Sequence, residues 1–188
     1  KRLGAVIEAS DVRPSVKEQV ESLGAKFIDV PYETAEEKEA AEGVGGYARP
    51  MPQSWLDRQK LEVAKRVAAA DIVVTTALIP GRAAPVLVTE DMVKAMKPGS
   101  VIVDLAAAQG GNCPLTEANK TVVKHGVTLV GETNLPALVA ADSSSLYARN
   151  VLDFLKLVFN KDGQFHVDLE DDIVKACLMC RDGQLLRA

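Results

Sequence analysis

Short apolar runs that each end in a loop of small residues constrain the fold of this chain most strongly. Residues 72–74, Ile-Val-Val, pass directly into residues 75–85, a stretch rich in Thr, Ala, Gly and Pro. Residues 101–105 lead in the same way into residues 106–112, which contain a glycine pair. Near-continuous apolar strands are typical of parallel sheets, which bind ligands where their strands end. The pattern predicts ligand-facing loops at that edge; ordinary strand-to-helix connections are the alternative.

Strand and helix signals alternate along the first three quarters of the chain. Helical patterns cover residues 14–23, 53–70 and 89–96, the last with Thr89 as its N-cap. This alternation predicts an α/β fold of the Rossmann type, a doubly wound parallel sheet with helices on both faces. Further short strands are predicted at residues 5–9, 26–30 and 127–130.

The sequence changes character after Pro136. Residues 143–159 form one helical pattern with Asp142 or Ser143 as its cap, and a hairpin turn is predicted between strands at 174–180 and 185–186. We therefore expect residues 1–140 to form the Rossmann-type domain and residues 141–188 to form a long helix followed by a β tail. The predicted core positions of that helix are Leu146, Val151, Leu152, Leu155 and Val158.

Composition narrows the classes of protein to consider. The 188 residues are 47% hydrophobic and 26% charged, with a formal net charge of −4. This balance is typical of a globular protein and gives no reason to expect nucleic-acid binding. No apolar run approaches the roughly 20 residues of a membrane span. Neither His125 nor His166 has a catalytic acid and nucleophile nearby in sequence, so the pattern assigns no catalytic residue.

The three cysteines predict reduced thiols rather than a disulfide framework. Cys177 and Cys180 have the C-x-x-C spacing of some metal sites, but no second pair of ligands accompanies them. They lie in an apolar stretch that predicts a strand, so we interpret them as core residues and assign no metal site.

Asp11 follows the first predicted strand of this sequence. In dinucleotide-binding folds an acid at such a position accepts hydrogen bonds from the adenosine ribose and disfavours a 2′-phosphate. The alternative is an N-cap of the helix that starts near Pro14. A Gly-x-Gly-x-x-Gly turn belongs roughly 20 residues before such an acid. Because the sequence begins ten residues before Asp11, we expect that turn and the first strand of the fold to be missing here.

Glycines at positions 43, 45 and 46 stand beside Tyr47, between an acidic run and a helical pattern. This composition suits a mobile flap that closes an aromatic ring over a ligand. A plain flexible connection is the alternative.

These segments together resemble the NAD-binding alpha subunit of proton-translocating NAD(P) transhydrogenase, within the alanine dehydrogenase/transhydrogenase family. The resemblance covers nearly the whole chain and is weakest at residues 31–42 and after residue 159. Its most specific motif is Thr-Thr-Ala-Leu-Ile-Pro-Gly at residues 75–81. The other matching segments are residues 9–13, 45–48, 99–106, 110–112 and 133–136.

The resemblance implies a role for each of several residues toward NAD(H). Its adenosine ribose and adenine would be met by Asp11, Val12 and Arg13. The loop that closes over the nucleotide would contain Gly46 and Tyr47, and Gln59 would point toward the cofactor. The nicotinamide end would lie beside Ala77 and Leu78.

The activity that the resemblance implies is hydride transfer between NAD(H) on this chain and NADP(H) on a partner domain. Such a transfer needs no protein acid or base. The implied partners are an NADP-binding domain and a membrane domain that couples the reaction to proton translocation, in a beta subunit or in the same polypeptide. A homodimer is implied, at the cytoplasmic face of a bacterial inner membrane or on the matrix side in mitochondria.

Two other functions stay open at the level of the sequence. Alanine dehydrogenase has the same fold, and the acid–base residues of that reaction would lie in a preceding domain that this sequence lacks. A non-catalytic nucleotide-binding module is the third possibility. Because that preceding domain would also face the nicotinamide, we expect the isolated fragment to be inactive.

Overall fold

A computed structural model of the chain describes residues 1, 3–13, 15–42, 51–79 and 81–186. It divides into two compact units, Lys1–Thr133 and Asn134–Ala188. Whether these units correspond to the domains expected at 1–140 and 141–188 stays a prediction.

The first unit alternates strands and helices along most of its length. Its elements are β1 (Glu8–Ala9), α1 (Ser15–Ser22), β2 (Lys26–Phe27), α2 (Ala35–Glu42), α3 (Gln53–Ala69), β3 (Ile72–Thr75), α4 (Glu90–Ala95), β4 (Val101–Asp104), a 3-10 turn (Ala107–Gln109), β5 (Thr121–Lys124) and β6 (Val127–Val130). The second unit contains α5 (Leu135–Leu138), α6 (Ala140–Val158), α7 (Asp172–Cys177), β7 (Cys180–Arg181) and β8 (Gln184–Leu185).

A four-stranded sheet in the order β3-β4-β6-β5 forms the centre of the first unit. Strands β3, β4 and β6 are parallel, and β5 is antiparallel to β6. Thr75 stands opposite Asp104, so β3 and β4 end side by side. A separate parallel pair consists of β1 and β2. The expected α/β class with a parallel sheet is therefore confirmed, and the strand ends define one carboxyl edge of the main sheet.

The core of the first unit lies between the main sheet and helices α3 and α4. Fully buried Ile102, Val127 and Leu129 of the sheet pack against Val67 of α3 and Val93 of α4. Helices α3 and α4 were predicted correctly, including the cap of α4, where the Thr89 hydroxyl accepts a hydrogen bond from the Met92 main-chain N–H.

A second hydrophobic cluster joins α2 and α3 to the segment after β2. Trp55 is 2% exposed, and its indole N–H donates to the Val30 carbonyl at 3.3 Å. The ring of Tyr32 stacks on Trp55 with the centroids 6.0 Å apart. This cluster fixes the start of α3 against the segment that follows β2.

Several predicted elements differ in the structure. β1 covers only Glu8–Ala9, and Val6 is 93% exposed rather than part of a buried strand. Helix α2 occupies the acidic run, where Thr34 and Glu37 have the Thr-x-x-Glu spacing of a capping box. The Thr34 hydroxyl accepts from the Glu37 N–H, and the Glu37 carboxylate accepts from the Glu33 N–H.

The second unit corrects three predictions. Helix α6 begins at Ala140, before the expected caps, and of its five predicted core positions only Val158 is buried. The stretch predicted as a strand at 174–180 contains helix α7, because the Asp171 carboxylate caps the N–H groups of Ile173 and Val174. The hairpin turn is confirmed between β7 and β8.

The core assignment of Cys177 and Cys180 is also wrong, because both side chains are exposed, whereas Cys113 is buried. Helix α7 ends at Cys177 and β7 starts at Cys180, so the two thiols belong to different elements at the surface of their unit. None of the helices in the described part of the chain combines the length and apolar character needed to cross a membrane.

Candidate functional site

The carboxyl edge of β3 and β4 is organised by one buried carboxylate. Asp104 is 1% exposed, and its Oδ1 accepts hydrogen bonds from the Thr75 hydroxyl at 3.2 Å and from the Ala106 N–H at 3.1 Å. Its Oδ2 accepts from the N–H groups of Asn112 at 2.8 Å and Cys113 at 3.1 Å, and from the Thr116 hydroxyl at 2.8 Å. Because five donors already bond to this carboxylate, it stabilises the loops around it and is not available to bind a ligand.

Fully buried Asn112 connects this carboxylate to the loop after β3. Its Oδ1 accepts from the Ala77 N–H at 3.1 Å, and its Nδ2 donates to the carbonyl oxygens of Ala77 at 2.9 Å and Pro85 at 2.7 Å. We call these three bonds the Asn112 clamp. One side chain thus satisfies both backbone groups of Ala77 and spans the loop from one end to the other.

The surface that the loops present is small and partly apolar. Leu78 is 49% exposed directly beside the clamped Ala77. Gly81 and Gly110 have φ of 71° and 93°, and a Cβ at either position would meet no atom within 4 Å. Gly81, Arg82, Ala83 and Gln109 line a shallow depression of about 440 Å³. A flat ligand ring can therefore approach the backbone here.

A larger groove of about 510 Å³ lies between α3 and α4. Leu61, Ala64, Met92 and Ala95 are among its lining residues. These residues come from the helices that cover the sheet and not from the loops at the strand ends. Because open α/β sheets bind ligands outside the carboxyl ends of their strands, we place the candidate site at the loops.

Asp11 is paired with Arg13 just after β1. Its Oδ1 accepts from the Arg13 main-chain N–H at 2.9 Å and from Nε at 3.0 Å, and its Oδ2 accepts from a terminal guanidinium nitrogen at 2.9 Å. Burial alone would raise the pKa of Asp11, but the hydrogen bonds and charge of Arg13 together lower it below its ordinary value. These bonds fix an ionised carboxylate in one orientation, and they run to Arg13 rather than to α1.

Gln59 of α3 reaches the end of β1, where its Nε2 donates to the Ser10 hydroxyl at 3.4 Å. About two turns further along α3, Arg66 forms an ion pair with Glu8 at 3.2 Å. Val12 packs against the Trp55 cluster. The structure thus brings Gln59 beside the turn that contains Asp11.

The two predicted flap residues, Gly46 and Tyr47, lie outside the described residues. The helix that precedes them is held to α3 by buried Glu37. The Glu37 carboxylate accepts from Arg58 at 2.8 Å and from the Ser54 hydroxyl at 2.9 Å. Burial would raise the pKa of Glu37, but these bonds and the Glu33 N–H lower it.

The sequence pattern missed the part that Asn112 and Asp104 play in this site. The available signal was an acid at the end of a strand, followed by Gly-Gly-Asn in the next loop. That spacing does not indicate that the side-chain amide of Asn112 hydrogen-bonds to Ala77. Within the described part of the chain, His, Cys, Asp and Glu side chains form no group of three or more suited to holding a metal ion.

The parallel sheet with open, glycine-containing loops at its carboxyl edge defines the class: a Rossmann-type α/β fold. The whole chain, residues 1–188, matches the family model described as alanine dehydrogenase/PNT, C-terminal domain. The chain belongs to that family, which confirms the resemblance seen in the sequence.

Curated relatives include both enzymes of the family. Over 187 residues the chain is 54% identical to the first part of the NAD(P) transhydrogenase alpha subunit of Rhodospirillum rubrum, covering 99% of this chain and 48% of that protein. It is 47% identical to NAD(P) transhydrogenase subunit alpha of Cereibacter sphaeroides, over 97% of this chain and 35% of that protein. Alanine dehydrogenase of Halomonas elongata is 38% identical over 123 residues, 63% of this chain and 33% of that protein.

Solved structures agree with this assignment. Transhydrogenase from Sinorhizobium meliloti superimposes with a TM-score of 0.75 at 43% identity, over 98% of this chain and 46% of that one. An L-alanine dehydrogenase superimposes with a TM-score of 0.66 at 25% identity, over 98% of this chain and 45% of that one. The chain spans about half the length, or less, of these relatives.

Proposed function

We propose that this chain is the NAD(H)-binding component of a proton-translocating NAD(P) transhydrogenase. The observation that carries the proposal is the 54% identity to a transhydrogenase alpha subunit over 99% of the chain. The alanine dehydrogenase of Halomonas elongata reaches 38% over 63% of the chain. Transhydrogenase is therefore preferred to alanine dehydrogenase.

The proposed reaction moves one hydride between two nicotinamide rings. A hydrogen nucleus with two electrons leaves C4 of the dihydronicotinamide of NADH and bonds to C4 of NADP⁺, which gives NAD⁺ and NADPH. No proton is taken up or released by the two rings, so the protein need not supply an acid or a base. Positioning and exclusion of water are then the protein's contribution, and a site walled by backbone, Ala and Leu is suited to it.

The proposed contacts with NAD(H) follow the two ends of the described site. Asp11, Val12 and Arg13 would meet the adenosine ribose and adenine, supported by the fixed and ionised state of Asp11. Gln59 would point toward the cofactor from α3. Ala77 and Leu78 would lie at the nicotinamide end, while Gly46 and Tyr47 would close over the nucleotide.

We also propose that residues from outside this sequence complete the sheet. β3 is an edge strand, and it exposes Ile72 (66%) and Val74 (57%) on the face turned away from the core. Parallel sheets are normally covered on both faces, and the Rossmann strand order places one more strand beside β3. The turn with the glycine fingerprint would follow that strand, so the isolated fragment would be inactive.

The helix and β tail, proposed as residues 141–188, would return to a preceding domain. The support is the apolar surface of α6, on which Leu146, Tyr147 and Leu152 are each more than half exposed. The proposed partners are the NADP-binding domain and the membrane domain, with this chain as a peripheral component and a homodimer as its assembly. Its side of the membrane would be the cytoplasm in bacteria and the matrix in mitochondria.

A steady-state assay of the full-length protein with its partner domains tests the proposal. NADH should reduce NADP⁺, or an NADP⁺ analogue, without any other substrate. Oxidation of NADH that depends on pyruvate and ammonia would instead identify an alanine dehydrogenase. Binding of NADH without hydride transfer to any acceptor would identify a nucleotide-binding module.

A further inference from the structure

We propose that Asn112 is a positioning residue for hydride transfer, because the Asn112 clamp fixes the main chain at Ala77 and Leu78. The inference rests on the proposed function, in which this main chain is the wall beside the nicotinamide. In this proposal the buried side-chain amide of Asn112 determines where the nicotinamide ring lies relative to its hydride acceptor.

The clamp is a closed and fully buried arrangement. Asn112 is 0% exposed, and its three amide bonds measure 2.7–3.1 Å. The main-chain carbonyl oxygen of Asn112 also accepts hydrogen bonds from the N–H groups of Leu87 at 2.9 Å and Val88 at 3.1 Å. Both ends of the loop after β3 are therefore held by one residue, and Ala77 cannot shift unless Asn112 shifts with it.

Asp104 fixes Asn112 in turn. Its Oδ2 accepts from the Asn112 N–H while its Oδ1 accepts from the Thr75 hydroxyl, two residues before Ala77. The hydrogen bonds thus form a ring from β3 through Asp104 and Asn112 back to the loop after β3. Gly111 makes this ring possible, because a Cβ at that position would lie 2.7 Å from Asp104 Oδ2.

The exposed part of this wall is Leu78, which directly follows the clamped residue. Hydride transfer depends steeply on the distance between the reacting carbons, and a misplacement of about 1 Å can lower a rate about 100-fold. Binding of the nucleotide depends on many contacts along its length, including those at Asp11. Loss of the clamp should therefore slow transfer much more than it weakens binding.

The test substitutes Asn112→Ser in the full-length protein assembled with its partner domains. Serine removes the carbonyl and amide groups that reach Ala77 and Pro85. Two quantities are measured separately: the Kd for NADH, and the single-turnover rate of hydride transfer at saturating NADH. We expect the rate to fall at least about tenfold while the Kd changes by less than about threefold.

Val127→Ala is the matched control for a general loss of stability. Val127 is also 0% exposed, but it lies at the start of β6, at the opposite end of the strand from the carboxyl edge. This variant should lower the melting temperature and leave the transfer rate within about twofold of wild type. An equal loss of rate in both variants would overturn the proposal.

A second variant keeps the test decisive if Asn112→Ser does not fold. Thr116→Val removes the hydroxyl that donates to Asp104 Oδ2 at 2.8 Å and conserves side-chain volume. It should lower the transfer rate in the same selective way, by a smaller factor. A wild-type rate in either folded variant would contradict the positioning role and leave the proposed function intact. Absence of transfer in the wild-type protein would contradict the proposed function itself.

Discussion

At the scale of single residues, the buried polar side chains of the carboxyl edge bond to the loop backbone, and in the proposed reaction they would act only by positioning it. Asp104 and Asn112 are buried, and their side chains form hydrogen bonds with N–H and C=O groups of the loops. Leu78, which directly follows the clamped Ala77, is apolar and about half exposed. This division suits the proposed hydride transfer between two cofactors, in which the protein would contribute geometry and supply no acid or base.

Asp11→Ala tests the adenosine end of the proposed site. The variant loses a carboxylate that Arg13 holds ionised, and a hydrogen bond to a charged group contributes about 1.5–3 kcal/mol. We therefore expect NADH binding to weaken roughly tenfold or more in the full-length protein, measured by titration.

Asp29→Ala is the control for this prediction. Asp29 is an exposed acid that also forms an ion pair, with Lys17, and it lies just after β2. It should leave the Kd for NADH unchanged. Equal Kd values for the two variants and wild type would mean that Asp11 only supports its turn through Arg13.

Gly131→Ala tests the packing of the loop after β6. A Cβ there would clash with the Glu117 carbonyl oxygen and lie 2.9 Å from the Thr116 methyl carbon. We expect a loss of about 3 kcal/mol in the free energy of unfolding. Gly110→Ala, with φ of 93° but open space around its Cβ, should cost only about 1 kcal/mol. Urea unfolding of both variants measures the difference, and the reverse order would refute the packing account.

The residue scale also shows what sequence can and cannot predict. The resemblance singled out Asp11, Gln59, Ala77 and Leu78, and those roles stay predictions. Asn112 was seen only as part of a small-residue loop, because its partner Ala77 is 35 residues away in the chain. Spacing in sequence does not determine such a long-range bond.

At the scale of secondary-structure elements, α2 and α3 are joined by a buried ionic contact. Glu37 of α2 accepts hydrogen bonds from Arg58 and Ser54 of α3. A buried carboxylate that loses its partners is strongly destabilising. The contact therefore determines how α2 meets the start of α3 and, with Trp55, how the segment after β2 packs.

Acid should weaken this contact. The pKa of Glu37 is lowered in the folded chain, so its stabilising contribution is fully present above its ordinary value of 4.5 and is lost as the pH falls through the lower folded value. Glu37→Gln should reduce the free energy of unfolding near neutral pH and make it fall less steeply below pH 4.5. Urea unfolding across this range is the measurement.

Glu36→Gln provides the comparison for the acid prediction. Glu36 is an exposed acid one position earlier in the same helix. Its substitution should leave both the stability and its pH dependence close to wild type. If the two variants give the same acid profile, Glu37 does not hold the two helices together.

Elements with strong periodicity were predicted well from the sequence. The strands at residues 72–75, 101–104 and 127–130 and helices α3 and α4 are long or apolar enough to leave little ambiguity. Helix α7 was mistaken for a strand because a short apolar run fits either period. Strand β5 was missed, although His125 and Gly126, with φ of 52° and 78°, form the tight turn that joins it to β6.

At the scale of the whole molecule, large apolar side chains are exposed in each of the two units. Ile72 and Val74 of β3 are more than half exposed, as are Leu146 and Tyr147 of α6. The relatives that it matches are about twice as long or longer. The sequence predicted the α/β class from its alternation, but the choice between the two enzymes of the family depended on resemblance.

Deuterium transfer tests the central claim most directly. The full-length protein, with its partner domains, is supplied with NADH deuterated at C4 on either face in turn, together with NADP⁺. Direct transfer predicts that deuterium from one of the two labelled forms appears at C4 of NADPH, and that unlabelled NADH in heavy water yields no C4 label. Deuterium that comes from the solvent, or that appears in alanine when pyruvate and ammonia are supplied in place of NADP⁺, would contradict the proposed function.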